Sequence, residues 1–416
     1  MTSFFVFLRD NARWLVGGLL FTFFSSIGQT FFIALSAGDI RQEYGLTHGG
    51  FGTLYMVATL GSALTLPYIG QIVDRYSVRK VALIIIPMLA AAAVSMALSV
   101  HIAQLVVTIY LLRLFGQGMM THTAFTAMGR WFSAQRGRAI SVVTLGHNGG
   151  EAVFPLLFVA ATAWGGWRYT WLLAAALLLV VALPAITVLI AAERTPRSTD
   201  PAPRAAAVPD WTRAEVVRDP VFYILLLGVM APGFIGTTIF FHQVYLVELR
   251  GWSLELFASS FTVMALMTIT FALVSGALID RFSGVALLPG FLVPLACACL
   301  VLGTFDGQWS AFVFMALLGL SYGFSTTLFG SLWPEIYGTR HLGSIRALTV
   351  AVMVFATAMG PGLTGYLIDR GVSYPLQILC MGGYCIIVSL VMLYVAKQIR
   401  RRSALFTPEA SSTAQA

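Results

Sequence analysis

Apolar residues run along this chain in stretches of about 20, separated by short polar interruptions. Twelve such stretches can be placed, at 14–37, 50–72, 81–100, 104–128, 139–163, 169–192, 220–247, 255–279, 285–304, 309–333, 346–368 and 374–396. At 1.5 Å per residue, each is long enough to cross a hydrocarbon core of about 30 Å. Inside that core the backbone must satisfy its own hydrogen bonds, which a run of this length does as a helix. The pattern predicts an all-α membrane protein of twelve transmembrane helices.

Composition agrees with a membrane as solvent. Only 10% of the 416 residues are charged and 58% are hydrophobic, where a soluble domain carries about a quarter of its residues as charges. The net charge of +8 raises the question of a nucleic-acid partner. The placement of the basic residues answers it. Twenty fall on one side of the predicted spans, among them Arg9, Arg13, Arg75, Arg79, Lys80, Arg130, Arg136, Arg138, Arg281, Arg340, Arg346 and Lys397, and only Arg41, Arg168, Arg250 and Arg370 fall on the other. This is an orientation signal. It predicts both termini in the cytoplasm and no nucleic acid as partner. The first run is longer than a secretory signal needs and lacks a small-residue cleavage site, so it reads as a retained span. Cys297, Cys299, Cys380 and Cys385 lie in apolar stretches without His or acidic neighbours at ligand spacing and are expected to pack rather than bind metal.

The longest polar segment, Glu193 to Asp219, opens with Pro196 and continues Pro/Ala-rich through Pro209. It is expected to be a cytoplasmic linker. Thr212 and Glu215 stand at capping-box spacing beside Trp211, which predicts a short helix on the membrane surface. The organisation expected is a six-helix half over 1–192, the linker with its helix over 193–219, a second six-helix half over 220–397 and a cytoplasmic tail over 398–416.

The halves repeat one another. Gly70-Gln-Ile-Val-Asp74-Arg75-Tyr-Ser77 follows the second run and Gly276-Ala-Leu-Ile-Asp280-Arg281-Phe-Ser283 the eighth, while Gly28-Gln29-Thr30 in the first run matches Gly236-Thr237-Thr238 in the seventh. Two pseudo-symmetric halves have a seam at the membrane midplane, and rocking of one against the other exposes that seam to each side in turn.

Gly70, Asp74, Arg75, Arg79 and Lys80 resemble the signature Gly-x-x-x-Asp-Arg-x-x-x-Arg/Lys-Lys of the major facilitator superfamily, and Gly276, Asp280 and Arg281 are a shortened echo of it. The resemblance covers essentially the whole chain. It implies a transporter working by alternating access, monomeric, without cofactor, and with Gly70, Asp74, Arg75, Arg79, Asp280 and Arg281 as gating residues. An anion such as Asp74 at a helix C-terminus needs a cationic or helix-N-terminal partner, and such a contact can be made in one state and broken in the other. Gly129-Arg130-Trp131-Phe132 with Arg136-Gly137-Arg138-Ala139 and Gly146-x-x-Gly149 is similar to the bacterial oxalate/formate and monocarboxylate porters. The basic residue those carriers place in the eighth helix has no counterpart in 255–279, and the Gly-Pro-x-x-Gly-Gly motif of drug/proton antiporters is missing from the fifth.

Two charges remain inside the spans, Arg113 and Glu151. Counting from Arg130 and Arg138, their depths differ by about 6 Å. An unpaired charge there costs on the order of 3 kcal/mol or more, so a pair, a hydrated cavity or a protonated Glu151 is expected. Glu151 is the candidate proton-coupling carboxyl, His147 one turn before it a relay, and Arg113 either a partner in coupling or a fork for a carboxylate. The alternative is a static Arg113–Glu151 pair. The resemblance also implies that the first, fourth, seventh and tenth helices line the cavity. The corresponding runs offer Ser25 and Gln29, Arg113 and Gln117, Thr237 and Tyr245, Tyr322 and Thr326 as substrate contacts, with Ser25/Gln29 and Tyr322/Thr326 at the i, i+4 spacing of one helical face. His122 and His242 have packing roles open to them on equal terms.

The expected function is secondary active uptake of a small organic anion such as a carboxylate with protons, in a bacterial inner membrane. A neutral aromatic cargo or flavin-like vitamin, and export of a metabolite or drug, are the alternatives. No phosphate-binding loop and no cluster of catalytic acids, histidines or metal ligands is present in the sequence, which argues against an ATP-driven pump or a membrane enzyme.

Overall fold

The computed structural model describes residues 2–132, 136–194, 210–338 and 341–404, and among them every regular element is helical. The linker stretch 195–209, Arg340 and the tail beyond 404 lie outside the described residues, as do the side chains of Asp74, Arg136 and Asp280. Among the described residues, eleven helices are long and apolar enough to cross a membrane: α1 (Ala12–Ala34), α2 (His48–Ile69), α3 (Val78–Ala97), α4 (Ile102–Trp131), α5 (Arg138–Leu189), α6 (Pro220–Phe241), α7 (Leu254–Ile279), α8 (Gly284–Thr304), α9 (Trp309–Tyr337), α10 (Leu348–Asp369) and α11 (Tyr374–Arg402). The fold is therefore all-α and multi-pass. α5 is 52 residues long and carries non-helical backbone at Gly166, φ 79° and ψ 171°, a conformation that only glycine adopts without strain.

Several expected helices are irregular, with a π segment at Leu178–Ala182 and a 3₁₀ turn at Leu288–Gly290, and two of the irregular ones meet at the candidate site. The run over 14–37 does not continue as one helix: it tightens to a 3₁₀ turn at Ser25–Gly28, opens to extended backbone at Gln29 (φ −84°, ψ 156°) and resumes at Thr30–Ala34. Ser25 and Gln29 accordingly do not share a helical face, and the Ser25 hydroxyl donates back to Thr22 O at 2.6 Å. The run over 104–128 winds as a π-helix from Arg113 to Met120. Such π segments are uncommon and concentrate at functional sites. The predicted capping box is present, with Glu215 accepting from Thr212 N at 2.7 Å and starting the helix Arg213–Arg218. These hydrogen bonds hold the exposed Glu215 carboxyl below its ordinary pKa.

Two compact units divide the chain. The first comprises Met1–Ala202 with Ile239–Ala265 and Pro361–Arg370, and the second Pro203–Thr238, Leu266–Gly360 and Gly371–Ala416. In the first unit the core of α1 is aromatic: Phe32 meets Phe154, Phe158 and Trp171 at ring distances of 5.9, 5.0 and 5.1 Å. Small residues bring the backbones together. A methyl at Gly146 would overlap Leu19 O, and one at Gly150 would overlap Ser26 Oγ, whereas one at Gly149 would sit 3.6 Å from Phe23. The contact between α5 and α1 thus rests on Gly146 and Gly150, one turn apart, and not on the Gly146–Gly149 spacing. In the second unit Tyr337 Oη and Arg402 Nη1 both donate to Asp219 Oδ2 at 2.9 Å. Trp211, just before the helix Arg213–Arg218, has its ring 4.0 Å from the Arg402 guanidinium, and its backbone N–H donates to Tyr337 O.

Candidate substrate and proton site

Arg113 is 2% exposed. It opens the π segment of α4, which faces the broken turn of α1: a methyl at Gly28 would overlap Leu112 O and come within 2.6 Å of the Gly116 Cα. Close approach of the two backbones is what places the guanidinium. Its Nη1 donates to Thr30 Oγ1 at 3.1 Å and lies 3.5 Å from Gly28 O, and its carbon sits 5.5 Å from the Tyr55 ring. Tyr55 and Thr30 share a hydrogen bond of 2.6 Å. Nε is buried without a hydrogen-bond partner. Gln29 and Gln117 belong to the same place, Gln29 at the extended residue of the break and Gln117 within the π segment.

Glu151 is buried on α5 with its Oε1 3.5 Å from Nε2 of His147, whose ring is one-third exposed. Arg113 and Glu151 do not pair. The depth argument placed them within reach along the membrane normal, but Arg113 is turned onto α1 and α2 and Glu151 onto its own helix. A buried guanidinium with only neutral partners and a buried carboxyl beside a histidine are therefore two separate centres. The turn Ser25–Gly28 touches both neighbourhoods, Gly28 against Gly116 and Ser26 against Gly150.

Gln243 completes the setting of α1. It is fully buried, and its amide nitrogen donates to Phe31 O at 2.8 Å, just after the break. Tyr245 lies on the helix Gln243–Arg250, its ring 4.2 Å from that of His48. The remaining sequence candidates belong to the second unit. Thr237 is buried on α6, Tyr322 on α9 has its hydroxyl 3.4 Å from Pro232 O, and Thr326 is exposed with its hydroxyl on Gly323 O. His122 packs against Gly70, where a methyl would lie 3.1 Å from its Nε2, and His242 is buried with Nε2 3.2 Å from Pro361 O.

Gly70 ends α2 and is followed by a short helix Ile72–Arg75, on which Arg75 is exposed, as is Arg79 beyond it. The loop is held by two residues outside the motif. Arg130 donates to Val73 O at 3.0 Å and to Glu193 Oε1 at 3.1 Å, and the same Glu193 oxygen accepts from Val78 N. In the counterpart loop of the second unit, Glu335 Oε2 accepts from Gly284 N at 2.9 Å, and Arg281 lies over the Phe282 ring. Arg130 was visible in the Gly129-Arg130-Trp131-Phe132 stretch. Thr30 stood in the repeated Gly28-Gln29-Thr30 stretch without a role attached to it, and Glu193, Tyr55 and Gln243 carried no signal separating them from ordinary polar residues at span ends and helix contacts.

Comparison with known proteins agrees with this architecture. The model of the Major Facilitator Superfamily matches residues 18–361. No curated protein sequence matches the chain. Two crystal structures of a bacterial homologue of the human lysosomal transporter Spinster are similar in fold. The inward-facing, unoccupied form gives a TM-score of 0.69 over 95% of this chain and 96% of that chain at 17% identity. The inward-facing, occupied form gives 0.67 over 94% and 95% at the same 17%. At that identity the likeness speaks for the fold alone. The chain is a member of the Major Facilitator Superfamily, a polytopic membrane transporter of a small solute and not an enzyme.

Proposed function

We propose that this transporter takes up a small organic anion, a carboxylate, together with protons across a bacterial inner membrane. The observation that carries the proposal is Arg113, a guanidinium 2% exposed whose contacts are a hydroxyl, a carbonyl and an aromatic face, with no acidic side chain at salt-bridge distance among the described residues. A buried cation without an anion is costly, and a carboxylate is the partner that removes the cost. Nη1 is committed to α1, so the Nε–Nη2 edge is the fork that receives two carboxylate oxygens. Gln29 and Gln117 supply amide donors alongside it. Glu151 and His147 hold the proton. The Ser25–Gly28 turn couples the two centres mechanically, because its displacement by substrate at Arg113 moves Ser26 against Gly150, beside Glu151.

Several finer features belong to the same proposal. The break at Gly166 divides α5 into two spans, which makes twelve in two six-helix halves, 1–192 and 220–397, joined by the linker 193–219 and followed by the tail 398–416. Both termini are cytoplasmic, the transporter works as a monomer, and the loops at Gly70, Asp74, Arg75 and Arg79 and at Asp280 and Arg281 gate the cytoplasmic side. Thr237, Tyr322 and Thr326 contribute hydrogen bonds from the second half.

The test is purified protein in liposomes with a trapped pH dye, challenged with monocarboxylates, dicarboxylates, aromatic vitamins and neutral metabolites. Acidification by a carboxylate, abolished in Arg113→Gln, is the expected result. Glu151→Gln loses proton-driven accumulation and keeps counterflow exchange. Acidification by neutral aromatics alone transfers the cargo to a flavin-like compound, and solute flux without proton movement removes the role of Glu151.

A further inference from the structure

A second centre of ionisable groups lies in the first unit, at helix ends that the basic-residue distribution assigns to the outside. Arg41, on the short helix Ala37–Tyr44, places Nη1 2.9 Å from Nε2 of His48, the first residue of α2. A guanidinium only donates, so this ring nitrogen is the acceptor and the imidazole is neutral. The other groups facing His48 come from the helix Gln243–Arg250 with its N-cap His242 and from the end of α10. His242 and Tyr245 bring rings to 6.1 and 4.2 Å. His242 Nε2 lies 3.2 Å from Pro361 O and is the donor in that contact, since a carbonyl only accepts. Asp369, ending α10, accepts from Gly49 N at 2.8 Å. Asp369 acts electrostatically on His48 and Arg41, and Glu248 on Arg41, while Arg370 is turned over the Tyr366 ring at 4.9 Å.

Beneath these groups α2 and the end of α10 meet without intervening side chains. A methyl at Gly52 would overlap Pro361 O, and one at Gly365 would lie 3.0 Å from the Gly49 Cα. The Asp369 carboxylate closes this seam at its end by taking the Gly49 N–H in the first turn of α2, while Thr47 takes the Gly50 N–H at 2.9 Å. A hollow of about 450 Å³, with Asp39, Arg41, Gln42 and Glu248 in its wall, adjoins the site. A cavity of about 10 Å³ touches His48 itself, and Arg41 lines both. The smaller is of the size of a single water.

We propose that His48 is a proton-binding site, separate from Glu151 and His147, whose occupancy decides whether α2 and α10 stay joined at this end. A proton arriving on Nε2 ends the Arg41 bond, because both groups are then donors and both are cations. The carboxylates that face the cationic ring and Arg41 are Asp369 and Glu248. As Asp369 turns to the ring, the Gly49 N–H loses its acceptor and the glycine seam loses the group that closes it. The site is independent of which solute is carried, and it makes the joined state one of neutral pH.

Hydrogen–deuterium exchange of the full-length protein in lipid nanodiscs, corrected for the intrinsic effect of pH, reads this directly in peptides spanning 46–52 and 361–369. Between pH 7.5 and 5.0 the corrected exchange of both is expected to rise by about tenfold, the equivalent of one unit of linked pKa change. His48→Gln keeps an acceptor for Arg41 and cannot take the proton, so it is expected to exchange as slowly at pH 5.0 as at 7.5. Unchanged wild-type exchange over this range overturns the proposal. A response that persists in His48→Gln overturns it as well, and its loss in His242→Gln would then assign the proton to the neighbouring ring.

Discussion

In α1, Gly28 lies against the backbone of α4, where a methyl would come within 2.6 Å of the Gly116 Cα; in α6, its counterpart Gly236 lies against α9, where a methyl would meet the ring of Tyr322 at 2.8 Å from Cζ. The motifs around them are alike, Gly28-Gln29-Thr30 and Gly236-Thr237-Thr238, yet the helices behave differently. α1 opens into extended backbone at Gln29, whereas α6 runs helical through Phe241. What faces each glycine also differs in kind. In the first unit it is a π segment that begins with a buried cation, and in the second it is a phenol that hydrogen-bonds within its own unit to Pro232 O. The same packing device thus serves a charged centre in one repeat and a neutral one in the other. For the anion uptake proposed above, one such cation suffices.

Substitution of the two glycines breaks or sharpens this contrast, and the largest effect is expected at Gly28. Gly28→Ala meets backbone, which cannot move aside without disturbing the π segment, and is expected to destabilise by about 3 kcal/mol. Gly236→Ala meets a side chain that can rotate and is expected to cost about 1 kcal/mol. Tyr322→Phe removes the overlapping hydroxyl and should relieve part of that cost in the double variant, whereas no side-chain substitution relieves Gly28→Ala. Thermal unfolding in detergent reads all three. Equal losses at the two glycines would show that the repeats are packed alike after all.

A smaller difference is expected between the two loops. Glu193 accepts from Val78 N and from Arg130 at 3.0 and 3.1 Å, and Glu335 accepts from Gly284 N alone. Glu193→Ala should free both Val78 N–H and Arg130, and Glu335→Ala only the Gly284 N–H. Each change is expected to cost about 1 kcal/mol, the worth of a part-buried hydrogen bond. Amide exchange at Val78 and Gly284 distinguishes them. Unaltered protection of Val78 in Glu193→Ala would mean that Arg130 alone holds the loop.

The smallest effect is expected at the capping box. Glu215 has its folded pKa lowered by the Thr212 hydrogen bonds. Its contribution is therefore present above the unfolded value of about 4.3 and is lost as pH falls through the folded one. The stability difference between wild type and Glu215→Ala should be constant at neutral pH and vanish on acidification. No difference at neutral pH would assign the helix start to Thr212 alone.

Most helices and most of their ends were legible because the membrane imposes a length and an apolarity that few other constraints mimic, the exception being the runs 139–163 and 169–192, which form the single α5. The capping box was legible for a similar reason, since two residue types at one spacing satisfy two orphan N–H groups. The break at Gln29 and the π segment at Arg113 were not. Hydropathy is blind to backbone geometry, and Gly28, Gly116 and Gly118 have the same composition whether a helix is regular or wound differently. Depth along the membrane placed Arg113 and Glu151 at similar levels but contains no information about azimuth, and azimuth is what sends one toward Thr30 and the other toward His147. Gln243 was invisible for a further reason. Its partner is a backbone carbonyl 212 positions away, in the last turn of the short helix Thr30–Ala34 that follows the break.

The carboxylate of Asp369 on the Gly49 N–H joins residues 320 positions apart. During synthesis the first helices emerge and enter the membrane long before α10 exists, so the nascent chain carries α2 with that end unsealed through most of translation. Gln243, needed by α1, arrives earlier than Asp369 but still after the whole linker. The first unit is thus begun by the ribosome at its start and finished near its end, and a chain truncated before residue 361 is left with its oldest helices incomplete, a substrate for membrane quality control rather than a stable half.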